Sequence, residues 1–372
     1  MGIINMQKNI GKKGLAFTII VLFICVIFQS EISAFDNVKK SLLFTYNGNT
    51  FYVGGSGEGN YSKIQDAIDN ASNWDTIFVY EGIYYEKIKI SKSIALLGEN
   101  VNQTIIDIDH LYPQPQSGIV IHVINAPSVT IDSFCFRNHF SYEITGGIFA
   151  ENCPRLTINN IFDSWHHAVD FGFRLHFCND STITKTIIKY KIESAIDIQE
   201  SFNVTISENY IIGTDGYTPY SCGISLINCE NILISNNTIT KCTLYGTSLV
   251  NSDRNTLLGN YIQDNIALGL LILDSNSNFI SNNELSFNRV KGIFINTSKQ
   301  NIVSKNNIYD NGEKNIFFSN AFFNIWNHNF WGTGSSKRQL VVGIMHIERF
   351  NISFPILKVD WYPAQEPYDI VN

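Results

Sequence analysis

The chain has 372 residues, a formal net charge of −7 and charged side chains at 16% of its positions. Hydrophobic residues make up 44%, which supplies a core and excludes an intrinsically disordered chain. Lys and Arg are dispersed without forming a basic stripe, so we expect no nucleic-acid partner.

The N-terminus has the pattern of an export signal. Lys8, Lys12 and Lys13 precede an uncharged apolar run over residues 14–28, and Ile32-Ser33-Ala34 offers a small-residue cleavage site. Residues 1–34 are therefore predicted to be a signal peptide or an N-terminal anchor. We expect a secreted or cell-surface protein, attached to the membrane through residues 14–28 if the segment is not cleaved.

A short helix is predicted at the start of the mature chain. Ser62 and Gln65 have the spacing of a capping box. Apolar residues follow at helical spacing, namely Ile64, Ala67, Ile68 and Ala71. We expect this helix to cover the first coil of a repeat domain, because an uncovered strand edge and an open core invite association.

Two phrases recur through most of the remaining chain. The first is a small residue followed by alternating apolar positions, as in Gly292-Ile293-Phe294-Ile295. Its copies begin at Gly147, Ala168, Ala195, Gly223, Gly246, Gly269, Gly292 and Asn315, and the last four steps are 23 residues each. The second keeps the same period, with a polar residue at Asn160, Lys185, Asn209, Asn237, Asn260, Asn283 and Asn307. Two phrases in phase indicate a solenoid.

The composition of the repeats decides between solenoid types. Short β-branched runs separated by Asn, Ser, Asp and Gly are typical of strands and turns, which excludes helical repeats. Segments such as 228–250 lack the fixed Leu and Asn frame of leucine-rich repeats. We therefore predict a parallel β-helix with three short strands per coil and roughly ten coils. It would span residues 50–335, including its N-terminal cap, and residues 336–372 would form a C-terminal cap segment rich in Pro.

Three segments carry a family resemblance. Gly82-Ile83-Tyr84-Tyr85-Glu86 and residues 94–98 look like the first coils of pectinesterase-type helices, and residues 327–332 are similar to a closing Asn-Tyr-Trp-Gly phrase. The chain resembles the pectin-lyase-like superfamily, especially NosD-like proteins and carbohydrate-binding and sugar-hydrolysis domains. The resemblance implies an all-β, right-handed, single-stranded parallel β-helix and a polysaccharide or glycoconjugate partner.

The repeat also predicts which side chains stack on the outside. If the apolar members of each phrase point inward, the residue between them points outward on every coil. The predicted column is Phe149, Asp170, Asp197, Ser225, Leu271, Phe294 and Phe317. Asp170 and Asp197 would lie about one strand spacing apart, so that one carboxylate keeps the other protonated as a general acid. These two are the candidate catalytic residues.

Other side chains in this region are candidates for contacting a sugar. Aromatic faces can stack on pyranose rings, and charged groups surround the two aspartates. The candidate substrate-binding residues are Phe149, His166, His167, Arg174, Glu193, Phe294 and Phe317. We expect no metal site and no cofactor, although a lyase could use calcium.

Three functions remain open from the sequence. Val169-Asp170-Phe171-Gly172-Phe173 resembles the Asp-Phe-Ile-Phe-Gly segment of pectinesterases, but the other pectinesterase and polygalacturonase motifs have no counterparts. The leading hypothesis is therefore an exported protein that binds polysaccharide or glycoconjugate. The alternatives are a polysaccharide lyase, glycoside hydrolase or esterase that uses Asp170 and Asp197, and a structural envelope protein.

Six cysteines follow the leader, at positions 135, 153, 178, 222, 229 and 242. Their irregular spacing and the absence of Cys-x-x-Cys argue against zinc. Cys153 and Cys178 are each seven residues before Asn160 and Lys185, so they should occupy the same place on neighbouring coils, roughly 5 Å apart. That distance allows either a disulfide or two stacked, buried thiols.

Overall fold

The computed structural model describes residues 46–108, 118–137, 146–163, 169–214, 221–332, 338–347 and 352–370. The predicted leader, residues 1–34, lies outside these ranges. Within them, no helix has both the length and the apolar character needed to cross a membrane.

The secondary structure is almost entirely short strands. In chain order it contains β1 (Thr50–Val53), α1 (Ile64–Asn70), β2 (Thr76–Val79), β3 (Gly82–Tyr84), β4 (Ile88–Ile90), β5 (Ala95–Gly98), β6 (Thr104–Asp107), β7 (Ile119–Ile124), β8 (Thr130–Arg137), β9 (Gly146–Glu151), β10 (Thr157–Asp163), β11 (Phe171–His176), β12 (Thr182–Thr184), β13 (Ile187–Lys191), β14 (Ile196–Gln199), β15 (Thr205–Ser207), β16 (Tyr210–Thr214), β17 (Cys222–Ile227), β18 (Leu233–Ser235), β19 (Thr238–Cys242), β20 (Tyr245–Val250), β21 (Thr256–Leu258), β22 (Tyr261–Gln263), β23 (Leu268–Leu273), β24 (Phe279–Ser281), β25 (Glu284–Ser286), β26 (Lys291–Asn296), β27 (Ile302–Ser304), β28 (Asn307–Tyr309), β29 (Lys314–Ser319), β30 (Ile325–Asn327), β31 (Gln339–Ile347) and β32 (Ile352–Asp360).

These strands form three parallel stacks. The first stack is β1, β2, β5, β8, β10, β12, β15, β18, β21, β24, β27 and β30. The second is β3, β6, β8, β10, β13, β16, β19, β22, β25 and β28, and the longer β8 and β10 contribute to both. The third is β4, β7, β9, β11, β14, β17, β20, β23, β26, β29 and β31. The result is a parallel β-solenoid of about 11 turns that matches a right-handed β-helix, which confirms the predicted fold.

The core is built from identical positions on successive turns. In the first stack the central inward residue is aliphatic and fully buried on one turn after another. From β8 to β27 these residues are Ile131, Ile158, Ile183, Ile206, Ile234, Leu257, Ile280 and Val303. Burial of each such side chain contributes about 1.5–3 kcal/mol. Because every turn repeats this contribution, the period in the sequence is also the period of the core.

A ladder of buried asparagine side chains runs beside this core at the turn between the first and second stacks. Each amide donates to the Oδ1 atom of the asparagine one turn later, with Nδ2–Oδ1 distances of 2.8–3.0 Å along Asn209, Asn237, Asn260, Asn283, Asn306 and Asn329. The positions predicted at Asn160, Lys185 and Asn307 are each wrong by one residue, because the equivalent positions are Ile161, Thr186 and Asn306. Asp360 ends the ladder by accepting from Asn329.

The two ends of the solenoid carry different elements. The N-cap residue of α1 is Lys63, which makes no side-chain capping bond, so the predicted capping box at Ser62 is wrong. The carboxylate of Glu86, in the loop after β3, caps the helix instead. It accepts from the Ile64 and Gln65 amides at 2.8 and 3.0 Å. At the other end, β31 pairs in parallel with β29, and β32 pairs antiparallel with β31.

Candidate functional site

The outward side chains of the third stack form one continuous column. Pairing between neighbouring strands aligns Lys89, His122, Phe149, Arg174, Asp197, Ser225, Ser248, Leu271, Phe294, Phe317 and Val342. We call this set the outer column. From Phe149 to Phe317 it spans about 34 Å at one strand spacing of about 4.8 Å per step.

Arg174, and not Asp170, stands between Phe149 and Asp197 in the outer column. β11 pairs Arg174 with Phe149 on one side and with Asp197 on the other. The predicted stacking of Asp170 on Asp197 is therefore wrong. Asp170 lies in a bend before β11, where its backbone carbonyl accepts the Glu193 amide at 2.7 Å.

The small residue that begins each phrase lies close to the backbone of the next turn. A Cβ atom at Gly147 would come within 2.7 Å of the carbonyl oxygen of Gly172, and one at Gly172 within 2.5 Å of that of Ala195. Contacts this short favour glycine on most turns. Ala195 holds the equivalent position on the next turn, so these contacts favour a small residue without fixing the register. Strand pairing fixes it, because Phe173 pairs with Ile148 and with Ile196. This copy of the phrase is therefore Gly172-Phe173-Arg174-Leu175, 25 residues after Gly147, and the predicted copy at Ala168 is wrong.

Arg174 joins two carboxylates on the third stack. Its Nε donates to Asp197 Oδ2 at 2.9 Å, and its Nη2 donates to Glu193 Oε2 at 2.5 Å. Gln199 Nε2 also donates to Asp197 Oδ2, at 2.8 Å. The guanidinium carbon lies 4.3 Å from the centroid of the Phe171 ring, so the cation is held on an aromatic face. We call Arg174, Glu193, Asp197 and Gln199 the Arg174 cluster.

Asp197 is the most enclosed member of the Arg174 cluster. The residue is 5% exposed, and burial raises the pKa of its carboxyl although Arg174 and Gln199 oppose the shift. Its Oδ1 atom is buried and has no hydrogen-bond partner in the described part of the chain. The cluster thus combines a shielded carboxyl with the more accessible Glu193 and Arg174 side chains, which are 29% and 22% exposed.

Aromatic rings flank the Arg174 cluster on the N-terminal side. The His122 and Phe149 rings are stacked, with centroids 5.3 Å apart and planes at 26°. Phe149 also meets Phe171 edge to face, with centroids 6.5 Å apart. Burial, together with the charge of Lys89, lowers the pKa of His122, so its ring is neutral at pH 7. This end of the outer column therefore offers an apolar, partly exposed face.

A second aromatic pair lies farther along the outer column. Phe294 and Phe317 are stacked, with centroids 5.8 Å apart and planes at 30°. Lys314 Nζ lies 4.8 Å, and Lys291 Nζ 5.8 Å, from the Phe317 ring centroid. Between the Arg174 cluster and this pair the column carries Ser225, Ser248 and Leu271, which are 3–7% exposed.

The structure brings together some of the predicted site residues and separates others. Arg174, Glu193 and Asp197 are in direct contact, Phe149 is adjacent, and Phe294 and Phe317 lie several turns away. His166 and His167 are outside the described residues. Gln199 and His122 were not among the predicted residues, although both follow from the pattern. Gln199 is two residues after Asp197 on the same strand face, and His122 holds the position of Phe149 one turn earlier. In the described ranges, no group of three or more His, Cys, Asp or Glu side chains could hold a metal ion.

Comparison with known proteins supports the architecture. Residues 217–336 match a family model described as a right handed beta helix region. Probable pectinesterase 29 of Arabidopsis thaliana is 33% identical over 102 residues, which are 26% of this chain and 30% of that protein. The chain thus spans about a third of the length of that curated relative.

Two solved structures are similar in fold. The A-module of the mannuronan C-5 epimerase AlgE4 of Azotobacter vinelandii has a TM-score of 0.60 at 15% identity, covering 77% of this chain and 89% of that one. The enzymatically active domain of tailspike protein 2 of bacteriophage CBA120 has a TM-score of 0.57 at 14% identity, covering 73% and 48%. Together with the three stacks, these matches show the fold of a right-handed parallel β-helix.

Proposed function

We propose that the protein binds polysaccharide or glycoconjugate along the outer column of the third stack. The observation that carries this proposal is the order of side chains in the column. Partly exposed rings at Phe149 and at Phe294 and Phe317 provide stacking faces, and the Arg174 cluster between them provides charged hydrogen-bonding groups. A long chain of sugar rings presents the same alternation of apolar faces and hydroxyl groups.

The comparisons support the same class of ligand. The pectinesterase and the mannuronan epimerase are both named for a polysaccharide, and both resemble this chain. Fold alone does not fix function, so the proposal depends on the outer column and not on the likeness.

A glycan array tests this proposal with the full chain. We expect binding to a group of related polysaccharides, weakened at least tenfold by Phe317→Ala because a stacking face is lost. Phe279→Ala is the matched control, since Phe279 is also partly exposed but lies in the first stack, between Thr256 and Ile302. Absence of binding across the array, or equal loss in both variants, would contradict the proposal.

A polysaccharide-active enzyme is the second candidate, and the state of Asp197 favours it. The buried carboxyl has a raised pKa, and its Oδ1 has no hydrogen-bond partner among the described residues; both are properties of a proton donor. Asp170 does not adjoin it, so Glu193 is the second carboxylate of this hypothesis. Asp197→Asn should abolish turnover of a bound polysaccharide while leaving its affinity within about threefold. Unchanged turnover in Asp197→Asn would rule out this role.

We further propose that the protein acts outside the cell or at its surface. The lysines before the apolar run at residues 14–28 support this location. Protease added to intact cells should then degrade the β-helix, and N-terminal sequencing of the mature protein would tell cleavage near Ala34 from a retained anchor. Full protection in intact cells, with degradation after lysis, would contradict this location.

A further inference from the structure

Cys153 and Cys178 lie one above the other on neighbouring turns, at the bend between the third and first stacks. Backbone hydrogen bonds fix their register on both sides, from the Asn152 amide to the His176 carbonyl at 3.0 Å and from the Arg155 amide to the Asn179 carbonyl at 2.8 Å. Their Cα atoms are therefore about one strand spacing, 4.8 Å, apart, which is within the range that a disulfide spans.

The two sulfur atoms share the same buried space. Cys178 Sγ donates to the Ala150 carbonyl, on the turn that carries Cys153, at 3.5 Å. Cys153 Sγ donates to the Glu151 carbonyl at 3.1 Å, and both side chains are fully buried as free thiols. A hydrogen bond between the two thiols, which raises the pKa of Cys178 and lowers the pKa of Cys153, places the sulfur atoms side by side.

The stack of buried residues that contains Cys153 and Cys178 continues on later turns, where sulfur is not required for packing. The equivalent positions on later turns are Ser201, Cys229, Ser252, Ser275 and Ser298. Where a serine follows one turn later, its hydroxyl accepts a hydrogen bond from the backbone amide of the residue before it in the stack, as for Cys178, Cys229, Ser252 and Ser275. Cys229 is separated from Cys178 by Ser201, so it has no sulfur neighbour in the column. Cysteine occupies two adjacent turns only at positions 153 and 178.

We propose that Cys153 and Cys178 form a disulfide when the chain folds in the presence of a small-molecule or protein disulfide oxidant. The thiolate of one of the two cysteines attacks the oxidant's disulfide and releases one thiol, and the thiolate of the other cysteine then displaces the oxidant's second sulfur from the mixed disulfide. Two thiols lose two protons and two electrons, and the oxidant is released as two thiols. Because both side chains are buried in the finished solenoid, the exchange takes place before these two turns close.

The disulfide would join the turn that carries Phe149 to the turn that carries Arg174. The period is 27 residues from His122 to Phe149, 25 from Phe149 to Arg174 and 23 from Arg174 to Asp197. A covalent link in this irregular part of the repeat fixes the register of the Arg174 cluster. The proposal does not depend on glycan binding, and its test in solution does not depend on where the protein is located.

Oxidative refolding of the full chain tests the proposal. After refolding with glutathione disulfide and glutathione, the protein is denatured in the presence of an alkylating reagent, and free thiols and linked peptides are measured by mass spectrometry. The chain has 7 cysteines. We expect wild type to lose two free thiols and to yield one dominant linked peptide pair containing Cys153 and Cys178.

Serine variants provide the controls, because serine already occupies this column elsewhere and should preserve the fold. Cys229→Ser should still form the 153–178 link, whereas Cys153→Ser and Cys178→Ser should each keep all their remaining thiols. Circular dichroism confirms that each variant has refolded. A fully reduced wild-type protein with native β-structure, or a dominant link between another pair, would overturn the proposal.

Discussion

Arg174 Nε lies 2.9 Å from Asp197 Oδ2, and the two residues are paired positions of neighbouring strands in the third stack. The contact places a cation beside a carboxyl that is 5% exposed. The same guanidinium also reaches Glu193, so one side chain organises the polar centre of the outer column. Two predictions test this arrangement, and two more test the asparagine ladder and a buried ion pair of the solenoid.

Arg174→Ala should lower the free energy of unfolding by about 2 kcal/mol. Removing one partner of a fully buried ion pair costs about 3–5 kcal/mol, and the partial exposure of Arg174 reduces this cost. Arg174→Lys should recover only part of the loss, because a lysine cannot contact both carboxylates with a planar fork. Urea unfolding measures each variant.

The matched control is Arg254→Ala. Arg254 also pairs with a carboxylate, Glu230, but the pair is solvent exposed. We expect no measurable change in this control. Equal destabilisation of the two alanine variants would show that the Arg174 contacts contribute no more than a surface ion pair.

Asp197→Asn should change how stability depends on pH. Burial raises the folded-state pKa of Asp197 above its unfolded value, so this group favours folding below about pH 4. Its contribution is lost as the pH rises through the folded-state pKa. The stability of wild type relative to Asp197→Asn should therefore decrease between pH 4 and pH 7 in urea titrations at each pH. An increase over that interval would contradict the direction assigned to the pKa.

Asn283→Ala should break the buried amide ladder in its middle. Asn283 Oδ1 accepts from the Asn260 backbone and side chain, and its Nδ2 donates to Leu257 and Asn306. Each unsatisfied buried group costs about 1–3 kcal/mol, so we expect a loss of about 3 kcal/mol or more in urea unfolding. Asn102→Ala, at an exposed turn, is the control and should change stability by less than about 0.5 kcal/mol. A small loss for Asn283→Ala would mean that solvent enters the ladder.

Lys191 and Asp163 form an ion pair inside the solenoid, with Nζ 2.7 Å from Oδ1 and side chains 0% and 3% exposed. Lys191→Met should cost about 3–5 kcal/mol, because it leaves a buried carboxylate without its cation. The double variant Lys191→Met with Asp163→Leu should recover most of this loss, since two apolar side chains replace the pair. If the double variant is as unstable as the single one, packing and not charge accounts for the cost.

The repeat was enough to predict the three-strand coil and the order of most of the outer column. From Asp197 onward, inward and outward positions follow directly from the alternation of each phrase, and Phe294 and Phe317 stack as expected. The prediction failed at Asp170 because the sequence offers two candidate phrases within one long turn. The pairing of Phe173 with Ile148 and Ile196 on the neighbouring turns distinguishes them.

Long-range polar contacts could not be predicted for a different reason. Glu86 caps α1 from 22 residues away, and Asp360 ends the asparagine ladder from 31 residues away. Neither pairing has a fixed sequence spacing, since each depends on where a loop or a terminal strand returns to the solenoid. The Arg174 contact with Glu193 is of the same kind, because it depends on side-chain conformation and not on register.

Hydroxyl-radical footprinting of the full chain, with and without a glycan identified on the array, tests the central claim most directly. Oxidation of aromatic side chains reports their exposure one by one. If sugar binds along the outer column, oxidation of Phe149, Phe294 and Phe317 should fall at least threefold on binding, with Phe279 and the exposed Phe202 unchanged. Protection of Phe279 or Phe202, with the outer column still oxidised at its original rate, would place the ligand elsewhere and contradict the proposed function.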